Sequence, residues 1–173
     1  KFKTLQKTSS KAILEVFNLA FKNYFVPFKL SLQQLENKFK ADNVVLDISV
    51  GAFENNELVG FILHGIDIVN NIKTVYNGGT GVVPSKRGNQ LSQRMYKYVL
   101  PKLQNEGFEQ IQLEVISEND AAINAYRQVG FKLARKLVCY KGKLKLRNYT
   151  SDVQIKPLKI FDWKELQTFW DIK

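Results

Sequence analysis

With 173 residues, 45% of them hydrophobic, the chain can bury one sizeable core and reads as a single domain with at most an appendage. No apolar run approaches the roughly 20 residues that cross a bilayer, the opening Lys1-Phe2-Lys3-Thr4 has no secretory pattern, and a single Cys and a single His exclude an intramolecular disulfide, a cysteine metal cluster and a His-rich zinc site. The expectations are no metal, no membrane partner and a cytoplasmic location; the net charge of +10 favours anionic partners, but without a helix-turn-helix, zinc finger or aromatic-basic strand it reads first as solvated surface, with nucleic acid a lesser option.

A short strand is expected at 2–5, followed by a helix over 10–24 whose Ile13, Val16, Phe17, Ala20 and Phe21 share one face. Ser9 or Ser10 can cap it, and Pro27 ends the region. The apolar segment Phe25-Val26-Pro27-Phe28 either plugs the core or lines a pocket, and a second amphipathic helix follows over 31–40. Three strands are expected at 48–54, 57–69 and 73–83. The pairs Asn55-Asn56 and Asn70-Asn71 between them tolerate positive φ, which makes the three an antiparallel meander.

The third of these strands runs through Val82-Val83-Pro84 into Ser85-Lys86-Arg87-Gly88-Asn89-Gln90 and then a helix over 90–104. A basic, glycine-containing turn ahead of a helix start suits an anion, because unpaired N–H groups and the positive end of the helix dipole face the turn. Leu91, Met95, Tyr98, Val99 and Leu103 are expected to face inwards, with Pro101 disturbing the last turn and Gly107 closing it. Then come a strand at 111–115, a helix at 121–129 beginning after Asn119, a strand at 131–141, a turn at Lys141-Gly142-Lys143 and a returning strand at 144–147.

Two segments carry a family resemblance. One is the strand ending in Val83-Pro84 with its loop around Gly88; the other is Asn119, Ala122 and Tyr126 followed by Gly130-Phe131, in the spacing Asn-x-x-Ala-x-x-x-Tyr then Gly-Phe. Together they resemble the GNAT superfamily of acyl-CoA-dependent N-acyltransferases, over roughly residues 1–147. The first segment departs from the family pattern, with Ser85 in place of Gln or Arg, Gln90 where Gly or Ala is usual, and Ser92 at another position that is often Gly.

The resemblance implies an α/β fold: a mixed, mostly antiparallel sheet with helices on both faces, its fourth and fifth strands parallel but splayed. Acetyl-CoA would be the acyl donor, held by Val82, Val83, Arg87, Gly88, Asn89, Gln90, Leu91 and Ser92, with Asn119 bonding the pantetheine arm. Backbone N–H near Val83 would polarise the thioester oxygen. Glu114 would be the base, directly or through a water, and Tyr126 the acid that protonates the departing sulfur. The run Leu113-Glu114-Val115 and the twelve positions from Glu114 to Tyr126 are similar to those of ribosomal-protein N-terminal alanine acetyltransferases. The acceptor would be the amine of a small molecule or peptide; a homodimer is left open.

Each residue also has a plainer reading: Glu114 as a solvent-facing strand residue, Tyr126 as packing against Phe131, Asn119 as a helix N-cap. His64 is read as structural and Cys139 as a small core residue. Residues 148–173 echo the opening strand and helix, as the start of a second copy of the fold or as a packed extension. Two other functions stand beside acyl transfer: a CoA-binding or regulatory module whose chemistry Gln90 has impaired, and a basic RNA- or ribosome-associated module.

Overall fold

The structure, a computed structural model, describes residues 1–26, 28–143 and Pro157. The chain divides into two compact units, Lys1–Phe131 and Lys132–Lys173. The first contains, in order, β1 (Phe2–Thr4), α1 (Ser10–Ala20), α2 (Leu32–Ala41), β2 (Val50–Glu54), β3 (Glu57–Val69), β4 (Ile72–Val82), a 3-10 turn (Pro84–Lys86), α3 (Leu91–Asn105), β5 (Gln110–Leu113) and α4 (Asp120–Gln128).

The helices start where their side chains can satisfy unpaired N–H groups. Ser9 accepts from the Ala12 N–H at the start of α1, and Ser31 forms a capping box with Gln34 at the start of α2. Helix α1 stops at Ala20, short of the expected Tyr24, with Phe21 as its cap. Helix α3 runs through Pro101 to Asn105. Gly107, at φ 77°, then turns the chain while the Phe108 N–H donates to Leu103 O, closing a Schellman cap.

The sheet has the order β1-β2-β3-β4-β5. Its first three pairings are antiparallel and β4 pairs β5 in parallel. Both Asn pairs have positive φ, 48° and 66° at Asn55-Asn56 and 52° and 64° at Asn70-Asn71, which gives the twist a two-residue hairpin needs. Alternation along β3 sends Phe61 and Leu63 to one face and Ile62 to the other. The first face packs Leu5, Ile13, Phe17 and Leu35 from the α1 and α2 side. The second packs Val75, Met95, Tyr96, Val99 and Leu103 from the α3 side. This is the mixed sheet with helices on both faces that the sequence led us to expect.

Four expectations are corrected. Ile48 and Ser49 lie in a turn before β2 and are not part of it. Tyr96, not Tyr98, is the buried tyrosine of α3: Tyr96 is fully buried, whereas Tyr98 stays 38% exposed and lies beside Phe2. Residues 131–143, where a strand was expected over 131–141, have neither helix nor strand, and the returning strand expected at 144–147 lies outside the described residues. Cys139, expected in a core, is exposed. The second unit is otherwise described only at Pro157, so the echo of the opening strand and helix in 148–173 also lies outside the described residues.

Candidate active site

Strand β4 is bonded unequally on its two edges. It pairs β3 from Ile72 to Val82, but pairs β5 only from Thr74↔Gln110 to Asn77↔Leu113. The parting has a local cause. Leu63 pairs Gly79 and His64 pairs Asn77, so Gly78 is an extra residue on β4, and a bulge of this kind bends and further twists its strand. Beyond Asn77 the two parallel strands diverge.

The bulge also changes which side chains share a face. Residues three apart on a regular strand point to opposite faces; with Gly78 inserted, Asn77 and Thr80 meet. The Asn77 amide donates to Thr80 Oγ1 at 2.8 Å and to the Tyr96 hydroxyl at 2.6 Å, and its oxygen accepts from the Gly79 N–H at 2.9 Å. Tyr126 lies against this group, its ring edge-on to Tyr96 at 6.1 Å. Burial raises the Tyr126 phenol above its ordinary pKa; the Thr80 side chain opposes this, nearby Tyr24 adds to it, and the Asn77 side chain opposes it. The hydroxyl therefore keeps its proton at neutral pH and can donate it.

Helix α4 holds Tyr126 through both of its ends. Asn119 is the N-cap, its side-chain oxygen accepting from the Ala122 N–H at 3.2 Å, while its amide donates to the Tyr24 hydroxyl at 3.4 Å. At the other end Gly130, at φ 101°, donates to Arg127 O and Phe131 to Tyr126 O, a second Schellman cap. The Phe131 ring packs on Tyr126 at 5.7 Å. The motif Asn-x-x-Ala-x-x-x-Tyr then Gly-Phe is thus a complete short helix with both caps specified.

Glu114 is the first residue past β5, exposed. Its charge acts on Tyr76, whose phenol is pushed up to about 12 by burial first, then by Glu114 and by Asp42. Tyr76 and Asn77 alternate in face, so Glu114 and Asp42 address one face of β4 while Tyr126, Thr80 and Tyr96 occupy the other. The two catalytic candidates flank the opening and do not share one cluster.

At the end of β4, the Val83 N–H donates to Val59 O at 3.0 Å. The donor of Val83 itself is therefore spent inside the sheet. By alternation the N–H groups of Thr80 and Val82 point away from β3, into the splay. Arg87 reaches back, bonding Ala20 O at 2.6 Å and Val82 O at 3.3 Å, and Lys86 pairs with Glu54. The loop's two cations are thereby engaged with the protein's own oxygens.

What the loop offers an anion is backbone. Gly88 has φ 79° with open space where a Cβ would stand, and Asn89 ties the turn by donating to Lys86 O and Arg87 O. Gln90 caps α3 in the left-handed conformation, φ 54°, without a side-chain bond to the helix. The first-turn N–H groups at Leu91 and Ser92 are therefore left uncovered by a cap side chain. A glycine-bearing turn, a helix start without a side-chain cap and an open strand edge in sequence fit a long ligand with phosphates at one end and amides along its length.

His64 is fully buried, with Nδ1 donating to Ile48 O at 2.8 Å and no partner for Nε2. Burial lowers its pKa to about 4 against the raising effect of the Ile48 bond, so it is a neutral core residue, as its place on a central strand suggested. Among the described residues no group of His, Cys, Asp and Glu could hold a metal ion, and no helix is long and apolar enough to cross a membrane. Sequence reasoning missed Tyr24, Asn77, Thr80 and Tyr96. The signal for the middle pair was Asn77-Gly78-Gly79, since glycine inside a strand marks a bulge.

A comparison with curated proteins finds no match. Solved structures share the fold. An aminoglycoside acetyltransferase from an uncultured soil metagenomic sample, in complex with sisomicin, has a TM-score of 0.63 at 14% identity, covering 84% of this chain and 96% of that one. The acetyltransferase AAC(6′)-Iy, in complex with the bisubstrate analog CoA-S-monomethyl-acetylneamine, has 0.62 at 19% identity, covering 83% and 98%. The ribosomal-protein alanine N-acetyltransferase from Escherichia coli has 0.62 at 17% identity, covering 78% and 79%. The profile of the Acetyltransferase (GNAT) family matches residues 13–131, a span that runs from α1 to the Phe131 cap and contains the splay, the loop and α4. The chain belongs to the GNAT acetyltransferase family.

Proposed function

We propose that the protein transfers an acetyl group from acetyl-CoA directly to the primary amine of a small-molecule or peptide acceptor. The observation that carries this reading is the parting of β4 from β5 beyond Asn77↔Leu113, beside a helix start that no side chain caps. The donor supplies an activated acyl group as a thioester. The N–H groups of Leu91, Ser92 and the Gly88 turn would meet its phosphates, with Val82, Val83, Arg87, Asn89 and Gln90 shaping the cradle. The open N–H groups of Thr80 and Val82 would bond its amides and polarise the acyl oxygen. Asn119, already the cap of α4, would border the pantetheine arm.

The chemistry of this chain's own residues follows. Glu114 takes the amine's proton from the solvent-exposed side of the opening, directly or through a water. Tyr126, neutral and half-buried, delivers its proton to the sulfur as the bond to the acyl carbon breaks. No covalent enzyme intermediate is required.

Calorimetric titration of acetyl-CoA into the wild type and a Gly88→Trp variant tests the site. Binding is expected in the wild type and loss in the variant, because the indole would fill the space above a backbone that already has φ 79°. Release of free thiol is then followed with aminoglycosides, spermidine and alanine- and methionine-initiated peptides. A second reading, a CoA-binding module without turnover, is favoured by the Gln90 side chain at the loop. Acetyl-CoA binding with no thiol release on any acceptor would select it, and an absence of binding would refute both.

A further inference from the structure

We propose that Asn77 and Thr80 are positioning residues that hold the Tyr126 hydroxyl at the mouth of the splay. The inference rests on the reading of Tyr126 as the proton donor to sulfur. Its basis is the way each hydrogen bond constrains the next. The Gly79 N–H fixes the Asn77 oxygen at 2.9 Å, which forces the amide nitrogen toward Thr80 Oγ1 and the Tyr96 hydroxyl. Tyr96 is fully buried and Asn77 nearly so, so neither can swing away. The Tyr126 ring is confined between Tyr96, 6.1 Å away, and Phe131, 5.7 Å away. The Thr80 and Asn77 side chains both act on its phenol.

The arrangement has a role in the proton step. As the amine nitrogen bonds to the acyl carbon and the carbon–sulfur bond breaks, the Tyr126 proton passes to sulfur and leaves a phenolate. Asn77 spends both amide hydrogens on Thr80 Oγ1 and the Tyr96 hydroxyl, so the Thr80 O–H, which must donate elsewhere, is the donor that turns to the forming charge, and a water proton restores the phenol. Without the Gly78 bulge, Thr80 would face the other side of the sheet and this arrangement would not exist.

Calorimetry with CoA and with desulfo-CoA at pH 9, where a free thiol of ordinary pKa about 8.5 is mostly thiolate, reads the phenol's hold on sulfur without an acceptor. The wild type is expected to prefer CoA by about tenfold, the size of a hydrogen bond to a charged group. Tyr126→Phe and Thr80→Val are expected to abolish the preference, and Thr80→Ser and Asn77→Gln to retain and to reduce it, respectively. Unchanged desulfo-CoA affinity in Thr80→Val shows that the site persists. A preference lost in Tyr126→Phe but kept in Thr80→Val overturns the positioning role and leaves the donor reading standing. A preference kept in Tyr126→Phe, or absent from the wild type, removes the donor reading and the proposal with it. Loss of desulfo-CoA binding in Thr80→Val would make Thr80 a general structural residue and also overturn the proposal.

Discussion

Replacing Gln90 with glycine should stabilise the protein. Gln90 holds φ 54° and ψ 28° at the start of α3 and makes no side-chain bond to the helix, and it is exposed. A side chain in the left-handed region costs about 1–2 kcal/mol through the clash of Cβ with backbone oxygen. Glycine removes that clash but gains freedom in the unfolded chain, which returns about 0.5–1 kcal/mol. The net gain is about 0.5–1 kcal/mol, or about 1–3 °C in Tm for a chain of this size. Gln90→Ala keeps Cβ and is expected to stay within about 0.5 kcal/mol of the wild type, since nothing the amide bonds is lost. Urea unfolding of the three proteins decides the matter, and acetyl-CoA calorimetry on the same samples reports whether the amide crowds the loop. Equal stability of the Gly and Ala variants, or a glycine variant less stable than wild type, would refute the argument from backbone strain.

Two further outcomes follow from buried groups. His64 has its pKa lowered to about 4 in the folded protein against an unfolded value of about 6.5, so the unfolded chain binds the proton first on acidification. Stability from this source is constant above pH 6.5 and falls by about 3 kcal/mol as pH drops to 4; His64→Asn should flatten that part of the pH dependence in urea unfolding, and an unchanged slope would show that the loss lies elsewhere. Gly65→Ala would set a Cβ 1.8 Å from Asp42 O at the Val44↔Gly65 bridge. Because the obstacle is backbone, a loss of about 2–3 kcal/mol or failure to fold is expected, and a variant with wild-type Tm would show that the α2–β2 connection can yield.

The elements with a local signature were legible in the sequence. Paired asparagines announced two hairpins, Ser31 the start of α2, and Asn119 and Gly130 the ends of α4, because each of these residues acts on backbone within a few positions of itself. What depended on a distant partner was not. Tyr96 and Tyr98 are equally plausible inward residues on apolar periodicity; Tyr96 is buried because Asn77 meets its hydroxyl, and that meeting requires the Gly78 bulge. Which N–H groups near Val83 stay open emerged only with the register, since that of Val83 itself goes to Val59. Of the candidate site, the loop and Tyr126 were found by motif, whereas the face each catalytic candidate occupies came from the register of β4.

The unequal edges of β4 bear on how the protein keeps to itself. An unpaired strand at the border of a sheet will accept a strand from any molecule that drifts past, and proteins guard such borders with charge, proline or short length. Here the vacant hydrogen-bonding groups lie in the interior of the sheet, with β3 on one side, the foot of β5 closing the gap below and helices over both faces. A second polypeptide would need room above and below for its alternating side chains, on faces of β4 that α1 and α3 already pack. A slender chain that carries amides but no side chains meets no such obstacle. Under the proposed function, the bulge at Gly78 opens a seam suited to a thread and ill suited to a strand.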